Sequence, residues 1–282
     1  MISAQFQTLI PASAGIGLRS FHFREILEEK PPVAWMETHP ENYFGEGGAP
    51  LRFLEQIRSL YPLSFHGVGL SLGSSDPLNL THLKKLKALF DRFEPVFISE
   101  HLSWSSVSGR FLNELLPLPY TPESLEQVCS KIDEIQDTLK RPLLIENITR
   151  YLTWRASTLP EGEFMAEVVQ RTGCRILLDI NNVSVNALNH RFDPLDYLKT
   201  IPAQAVQEIH LAGFDRFGTW VIDTHGQRVH QEVWELYRWV IDHFGPRPTL
   251  IEWDTNLPPL HVLVEEAEKA EKLLGESHVV TS

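Results

Sequence analysis

Eight short apolar runs recur along this 282-residue chain, most of them followed by a stretch of helical periodicity, and seven of the eight carry a potential metal ligand or acid/base near their C-terminal end. The runs are GIGLR from Gly15, AWMETH from Ala34, LSFHGVG from Leu63, VFISEHL from Val96, PLLIENI from Pro142, RILLDIN from Arg175, QEIHLAG from Gln207 and TLIEWD from Thr249. Their nearly continuous aliphatic and β-branched character is that of strands covered on both faces of a parallel sheet. Between them lie amphipathic stretches: LRFLEQIRSL from Leu51, THLKKLKALFDRF with Thr81 placed to cap it, and TPESLEQVCSKIDEIQDTL from Thr121 with Pro at the first helical position. VHQEVWELYRWVIDHF and HVLVEEAEKAEKLLG supply two more. With no linker or break in composition, the pattern predicts a single-domain α/β fold over residues 1–282, a closed (β/α)8 TIM barrel. An open, doubly wound sheet would carry a glycine-rich phosphate loop after an early strand, and GIGLRS lacks its glycines.

The ionisable residues at the strand ends are Glu37, His66, His101, Glu146, Asp179, His210 and Glu252. In a barrel of this kind, side chains at the C-terminal ends of the strands converge on one pocket. Isolated buried carboxylates are costly, by several kcal/mol each, and metal ions remove that cost. DINN adds Asn182 three residues after Asp179, where the strand is expected to enter its loop. IDTHG adds Asp223 and His225, whose two-residue spacing in an extended loop would point both side chains the same way. The donors are nitrogen and oxygen only, which favours iron, manganese or zinc. Their number exceeds the needs of one ion, so two or three ions bridged by Glu146 or Glu252 is the expected arrangement. Other histidines, His39 and His82 among them, read as ordinary hydrogen-bonding residues.

Composition narrows the partners. The formal charge of −12 disfavours nucleic acid and anionic membrane surfaces. Cys129 and Cys174 are too few for a disulfide framework and read as small buried residues, consistent with a cytoplasmic location. The N-terminus lacks a basic segment leading into an apolar one, and no apolar run is long enough to span a bilayer.

The runs METHPENY, SFHGVGLSLGS, SEHLSW, LLPLPYT, LLIENITRYL, RTGCRILLDINNVSVNALNH, EIHLAG, IDTHG and LIEWD occur in order from Gly15 to about Ala270. In these the chain resembles the multinuclear non-heme iron-dependent oxidative enzymes, long catalogued as a bacterial family of unknown function. Their relatives include the methanobactin-biosynthesis and thiaglutamate-biosynthesis oxidases. The resemblance implies a TIM barrel with one iron on His66, His101 and Glu146, and a second on Glu146, Asp179, His210 and Glu252. It implies a third, weaker iron site on Asn182, Asp223 and His225. It further implies mixed Fe2+/Fe3+ and O2 acting on a cysteine of a ribosomally made precursor peptide, and a separate partner protein that recognises the leader. Glu37, Asn42 and Asn147 stand in the same motifs and are expected at the rim, orienting ligands or substrate. The metal pattern is also similar to that of endonuclease IV, in which the Asn182 position is typically His. A zinc or manganese hydrolase, or a sugar isomerase on the same barrel, is therefore the alternative, though no lysine stands at a strand end to serve an isomerase.

Overall fold

Side chains alternate across a strand, and in this chain the two alternating sets have different chemistry. One set, such as Phe65, Ile145, Ile176, Leu178, Ile209 and Ile251, is apolar and packs under the helices in the main core. The other set turns inward and changes from apolar to ionisable along most of the barrel strands. The consequence is seen in a computed structural model that describes residues 10–280. Residues 1–9, where the sequence reads as free of a targeting segment, lie outside the described residues.

Its strands are β1 Ala14–Gly17, β2 Met36–Thr38, β3 Leu63–Gly67, β4 Ile98–His101, β5 Trp104–Val107, β6 Arg110–Leu116, β7 Leu144–Glu146, β8 Arg175–Asp179, β9 Val206–Leu211, β10 Asp215–Phe217, β11 Trp220–Ile222 and β12 Thr249–Ile251. Eight of them close a parallel barrel in the order β1-β12-β9-β8-β7-β4-β3-β2, as the sequence pattern predicts. The other four form two hairpins, β5–β6 and β10–β11, which the sequence reading passed over. The barrel floor is a separate apolar cluster of Ile10, Trp35, Phe97, Leu144, Leu177 and Leu250. Two residues further along three of these strands stand Glu146, Asp179 and Glu252. The same alternation thus builds an apolar plug below and an acidic layer above it.

The helix over Leu80–Phe93 begins one residue before Thr81, and its cap is Asn79, whose side chain accepts from the Thr81 and His82 amides at 3.1 Å each. Thr121 does cap Pro122–Leu139, accepting from Ser124 N at 3.3 Å. Where a loop was expected after Asp179, the helix Ile180–His190 starts at once. Its sequence, INNVSVNALNH, is rich in residues of low helical propensity, and tertiary bonds compensate. Asn186 bonds Ile148 O and Arg150 N at 2.9 Å each, and Asn189 bonds both backbone groups of Val221. Among the described residues, no helix is long and apolar enough to cross a membrane.

Candidate metal centre

Register brings the ionisable residues together. His101 lies beside Glu146 across β4 and β7, and Asp179 lies beside His210 across β8 and β9. Glu146 Oε2 is 3.1 Å from His66 Nε2 and 3.0 Å from His101 Nε2. Both rings are held from behind: His66 Nδ1 pairs with Ser99 Oγ at 2.7 Å, and His101 Nδ1 donates to Gly67 O at 3.0 Å. A neutral His101 therefore carries its proton on Nδ1 and turns the Nε2 lone pair toward Glu146.

A second cluster shares Glu146 with the first. One donor atom from each of Glu146, Asp179, His210 and Glu252 lies within 4.8 Å of the others, and all four residues are buried. His210 Nδ1 is 3.1 Å from Glu252 Oε2. Of the expected third set, Asp223 Oδ1 and His225 Nε2 meet at 2.7 Å. They meet because His225 adopts the left-handed region, φ 44°, rather than through an extended D-x-H segment. Asn182 lines the same cavity, but its amide is engaged: Oδ1 accepts from Thr149 Oγ1 at 2.5 Å and Nδ2 donates to Asn147 O at 2.9 Å.

The residues expected at the rim separate. Glu37 is buried inside the barrel, 3.0 Å from His210 Nε2 and accepting from Ser64 Oγ at 2.8 Å. Asn147 is buried and ties β7 to β8 through a reciprocal pair, with Nδ2 donating to Asp179 O at 2.8 Å and Oδ1 accepting from Asp179 N at 2.9 Å. Asn42 is exposed in the short turn Pro40–Tyr43.

Several residues at the site were not singled out from sequence. Arg19, just beyond β1, pairs with Asp254 and approaches Glu252 Oε1 at 3.7 Å, so the barrel strand without a ligand of its own contributes a cation. Asp254 Oδ2 is 3.0 Å from His225 Nδ1, and His39, read as an ordinary hydrogen-bonding residue, donates to His66 O at 3.0 Å while lining the cavity. Glu208 is fully buried, with neither carboxyl oxygen hydrogen-bonded. The spacing held a signal for two of them, since Glu208 and Asp254 stand two residues from His210 and Glu252 and so share their faces.

Electrostatics ties the groups to one another. Burial pulls the His101 imidazole down, but Glu146 and Glu100 override it and hold it well above its ordinary value. Burial likewise opposes the charge on His210 and His225, yet Glu37 and Glu252 raise the first, and Asp223 and Glu252 the second. Glu252 is driven well below the carboxylate range by His225 and His210 despite its burial. Burial pushes Asp179 well up, and burial with Glu37 pushes Glu208 up to about 8. Glu146 Oε2, Asp179 Oδ2, His210 Nε2 and His225 Nε2 nonetheless lack any hydrogen bond of good geometry. Buried polar atoms rarely go unsatisfied, and a nitrogen–oxygen donor set of this kind fits divalent cations. The cavity above it, of about 890 Å³, is walled by Phe111, Leu112, Tyr151 and Ile222 among others.

Comparison with known proteins agrees with this architecture. Residues 13–275 match the family model described as "RiPP precursor modification enzyme MbnB/TglH/ChrH". A UPF0276 protein of Acaryochloris marina is 51% identical, with 93% of this chain and 94% of the relative covered. A UPF0276 protein of Vibrio parahaemolyticus is 49% identical, with 93% and 92% covered. Among solved structures, L-ribulose 3-epimerase superposes with a TM-score of 0.61 at 13% identity, covering 95% of this chain and 98% of the other. D-psicose 3-epimerase from Clostridium cellulolyticum gives 0.56 at 11%, covering 94% and 99%. At such identities the structural likeness speaks for the barrel alone.

Proposed function

We propose, for a chain that belongs to the MbnB/TglH/ChrH family of RiPP precursor modification enzymes, that it oxidises cysteine residues of a ribosomally made precursor peptide, using O2 and two or three irons. The observation that carries this reading is Glu146, one buried carboxylate common to two clusters of nitrogen and oxygen donors beneath an open cavity. On this reading His66, His101 and Glu146 hold one iron, and Glu146, Asp179, His210 and Glu252 a second. Asn182, Asp223 and His225 hold a third, with zinc or manganese as substitutes. When bound, the irons supply one-electron redox chemistry with O2, in mixed Fe2+/Fe3+ states.

The chain's own residues do the rest. Ser99 and the Gly67 carbonyl fix the two imidazoles of the first cluster, and the Glu37 carboxylate stands 3.0 Å from Nε2 of His210. Such outer partners set which ring nitrogen is free and how basic it is. Asp254, clamped by Arg19, does the same for His225. The apolar floor keeps water from reaching the centre from below. The cysteine side chain enters from the cavity mouth, and a separate protein recognises the leader of the precursor.

Protein purified without oxygen is expected to contain two to three irons and to consume O2 only with a cysteine-containing precursor peptide. Glu146→Gln is expected to lose both metal and turnover while keeping the fold. Activity supported by zinc alone, with O2 irrelevant, would overturn the reading, and so would manganese-dependent turnover of D-fructose.

A further inference from the structure

The hairpin β5–β6 stands over the metal cavity, and residues 111–115 of β6 all line it. Its turn, Ser108–Gly109, has φ 52° and 71°, a two-residue connection between Val107 and Arg110. In such a hairpin the closing pair exchanges both hydrogen bonds, so the N–H and C=O of Phe111 point away from β5. The register then slips, from Ser106↔Phe111 to Trp104↔Leu116, leaving residues 112–115 opposite Ser105 alone. No side chain or loop among the described residues bonds the backbone of residues 111–115 from the cavity side.

The second hairpin is treated differently. Asn189 covers the outer edge of β11, donating to Val221 O at 2.8 Å and accepting from Val221 N at 2.9 Å. The Tyr151 hydroxyl accepts from Asp223 N at 2.9 Å. Edge strands are commonly blunted by lysine, proline or a covering element. β6, RFLNELL, carries Arg110 beside the turn, Glu114 and the register slip, but no proline and no covering element among the described residues, and it leaves Phe111 61% and Leu112 39% exposed. One hairpin edge is closed by the protein's own amide; the other, along the wall of the catalytic cavity, is open.

We propose that residues 111–115 of β6 receive the substrate peptide as an added strand, so that main-chain hydrogen bonds hold it extended while its cysteine enters the cavity. This deepens the peptide-oxidase reading and rests on it. Strand addition recognises backbone rather than sequence, which suits an enzyme whose reacting residue is a single cysteine.

The test uses full-length, iron-loaded protein with fluorescein-labelled twelve-residue peptides carrying one central cysteine among alternating Thr and Val; binding is read under nitrogen, and oxidation of the cysteine after O2 is admitted. Two twins of each peptide are N-methylated at one or the other set of alternate nitrogens. Hydrogen exchange at residues 111–115 is expected to slow on binding. One twin should bind about tenfold more weakly and the other should match the parent, because only one set of nitrogens faces the edge. Asn113→Pro should weaken binding, whereas Asn113→Ala should not, at equal iron content. Peptides that bind and are oxidised with residues 111–115 unprotected and both twins equal would overturn the strand-addition proposal and leave the oxidase standing. If no peptide binds and no cysteine is oxidised, both fail. Protection that rises with protein concentration without peptide would assign the edge to a second copy of the chain and overturn the proposal.

Discussion

Glu37 Oε1 stands 3.0 Å from His210 Nε2, across the ring from Glu252 Oε2 at 3.1 Å from Nδ1. The structure bonds Nδ1 to Glu252 and leaves Nε2 without a well-aligned partner. Once a cation shared with Glu252, Asp179 and Glu146 displaces the Nδ1 proton, the Glu37 charge favours the remaining proton on Nε2. Glu37→Gln keeps the shape and removes the charge. It is expected to weaken metal binding at the second cluster by roughly tenfold, while the His66–His101 cluster keeps its affinity. Anaerobic Fe2+ titration of the metal-free protein, read by iron retained after dialysis, measures both. Equal loss at the two clusters would show that Glu37 acts on the fold rather than on His210.

The metal-free protein should lose stability as pH rises from 6 to 8.5. His101, His210 and His225 are raised well above 6.5, so each contributes stability that is full below 6.5 and is lost as pH climbs through the raised value. Asp179 and Glu208 act in the same direction: burial favours their protonated forms, and Glu208 forfeits that contribution between 4.5 and about 8. Glu252 and Asp254, held well below 4.5 and 3.8, matter only in acid, where their contribution is lost as pH falls. Cations that displace the histidine protons bind better as pH rises. Thermal melts should therefore show Tm of the metal-free form falling from pH 6 to 8.5 and the increment given by Fe2+ growing. A flat profile without metal would contradict the charge assignment.

Asp254 joins Arg19 to His225, its Oδ2 lying 3.0 Å from His225 Nδ1. Asp254→Asn removes the charge that keeps the proton on Nδ1 and aims Nε2 at Asp223. The expected outcome is about tenfold weaker binding of the third ion, with the first two retained. Competition with a chelator, followed by iron analysis, reads the stoichiometry directly. Loss of all ions together would mean that Asp254 supports Glu252 instead.

The barrel and most of the centre were legible because one rule, alternation along a short strand, governs both. Apolar runs ending in Glu146, Asp179 or Glu252 announce a floor and a ligand two residues apart. The rest depended on what no single strand reveals. Arg19 follows a strand with no ionisable residue of its own, and its meaning comes from Asp254, 235 positions away. The D-x-H pair converges through a left-handed His225, a backbone state that spacing does not encode. The helix Ile180–His190 was hidden by its asparagines, which are tolerated only because their amides bond neighbouring loops. RFLNELL became a strand through pairing with β5 across a turn of Ser108 and Gly109.

Gly15 tests how tightly the floor is built. A Cβ there would lie 2.6 Å from two ring atoms of Trp35 and 2.8 Å from its carbonyl oxygen. Trp35 cannot easily yield: it is fully buried, its indole donates to Ser13 O at 3.1 Å, and it packs with Leu144, Leu177 and Leu250. Gly15→Ala is therefore expected to cost about 1–3 kcal/mol, as overpacking of a filled core does. Gly17, on the same strand, is the control, because its Cβ would meet only the Arg19 guanidinium at 3.2 Å. A guanidinium at the end of a long side chain yields more readily than a packed indole, so Gly17→Ala should cost less than about 1 kcal/mol. Urea denaturation of the two variants, compared at equal slope, separates them. Equal midpoints would show that the indole shifts freely, and the floor would then not be the rigid base from which Glu146, Asp179 and Glu252 are held in place.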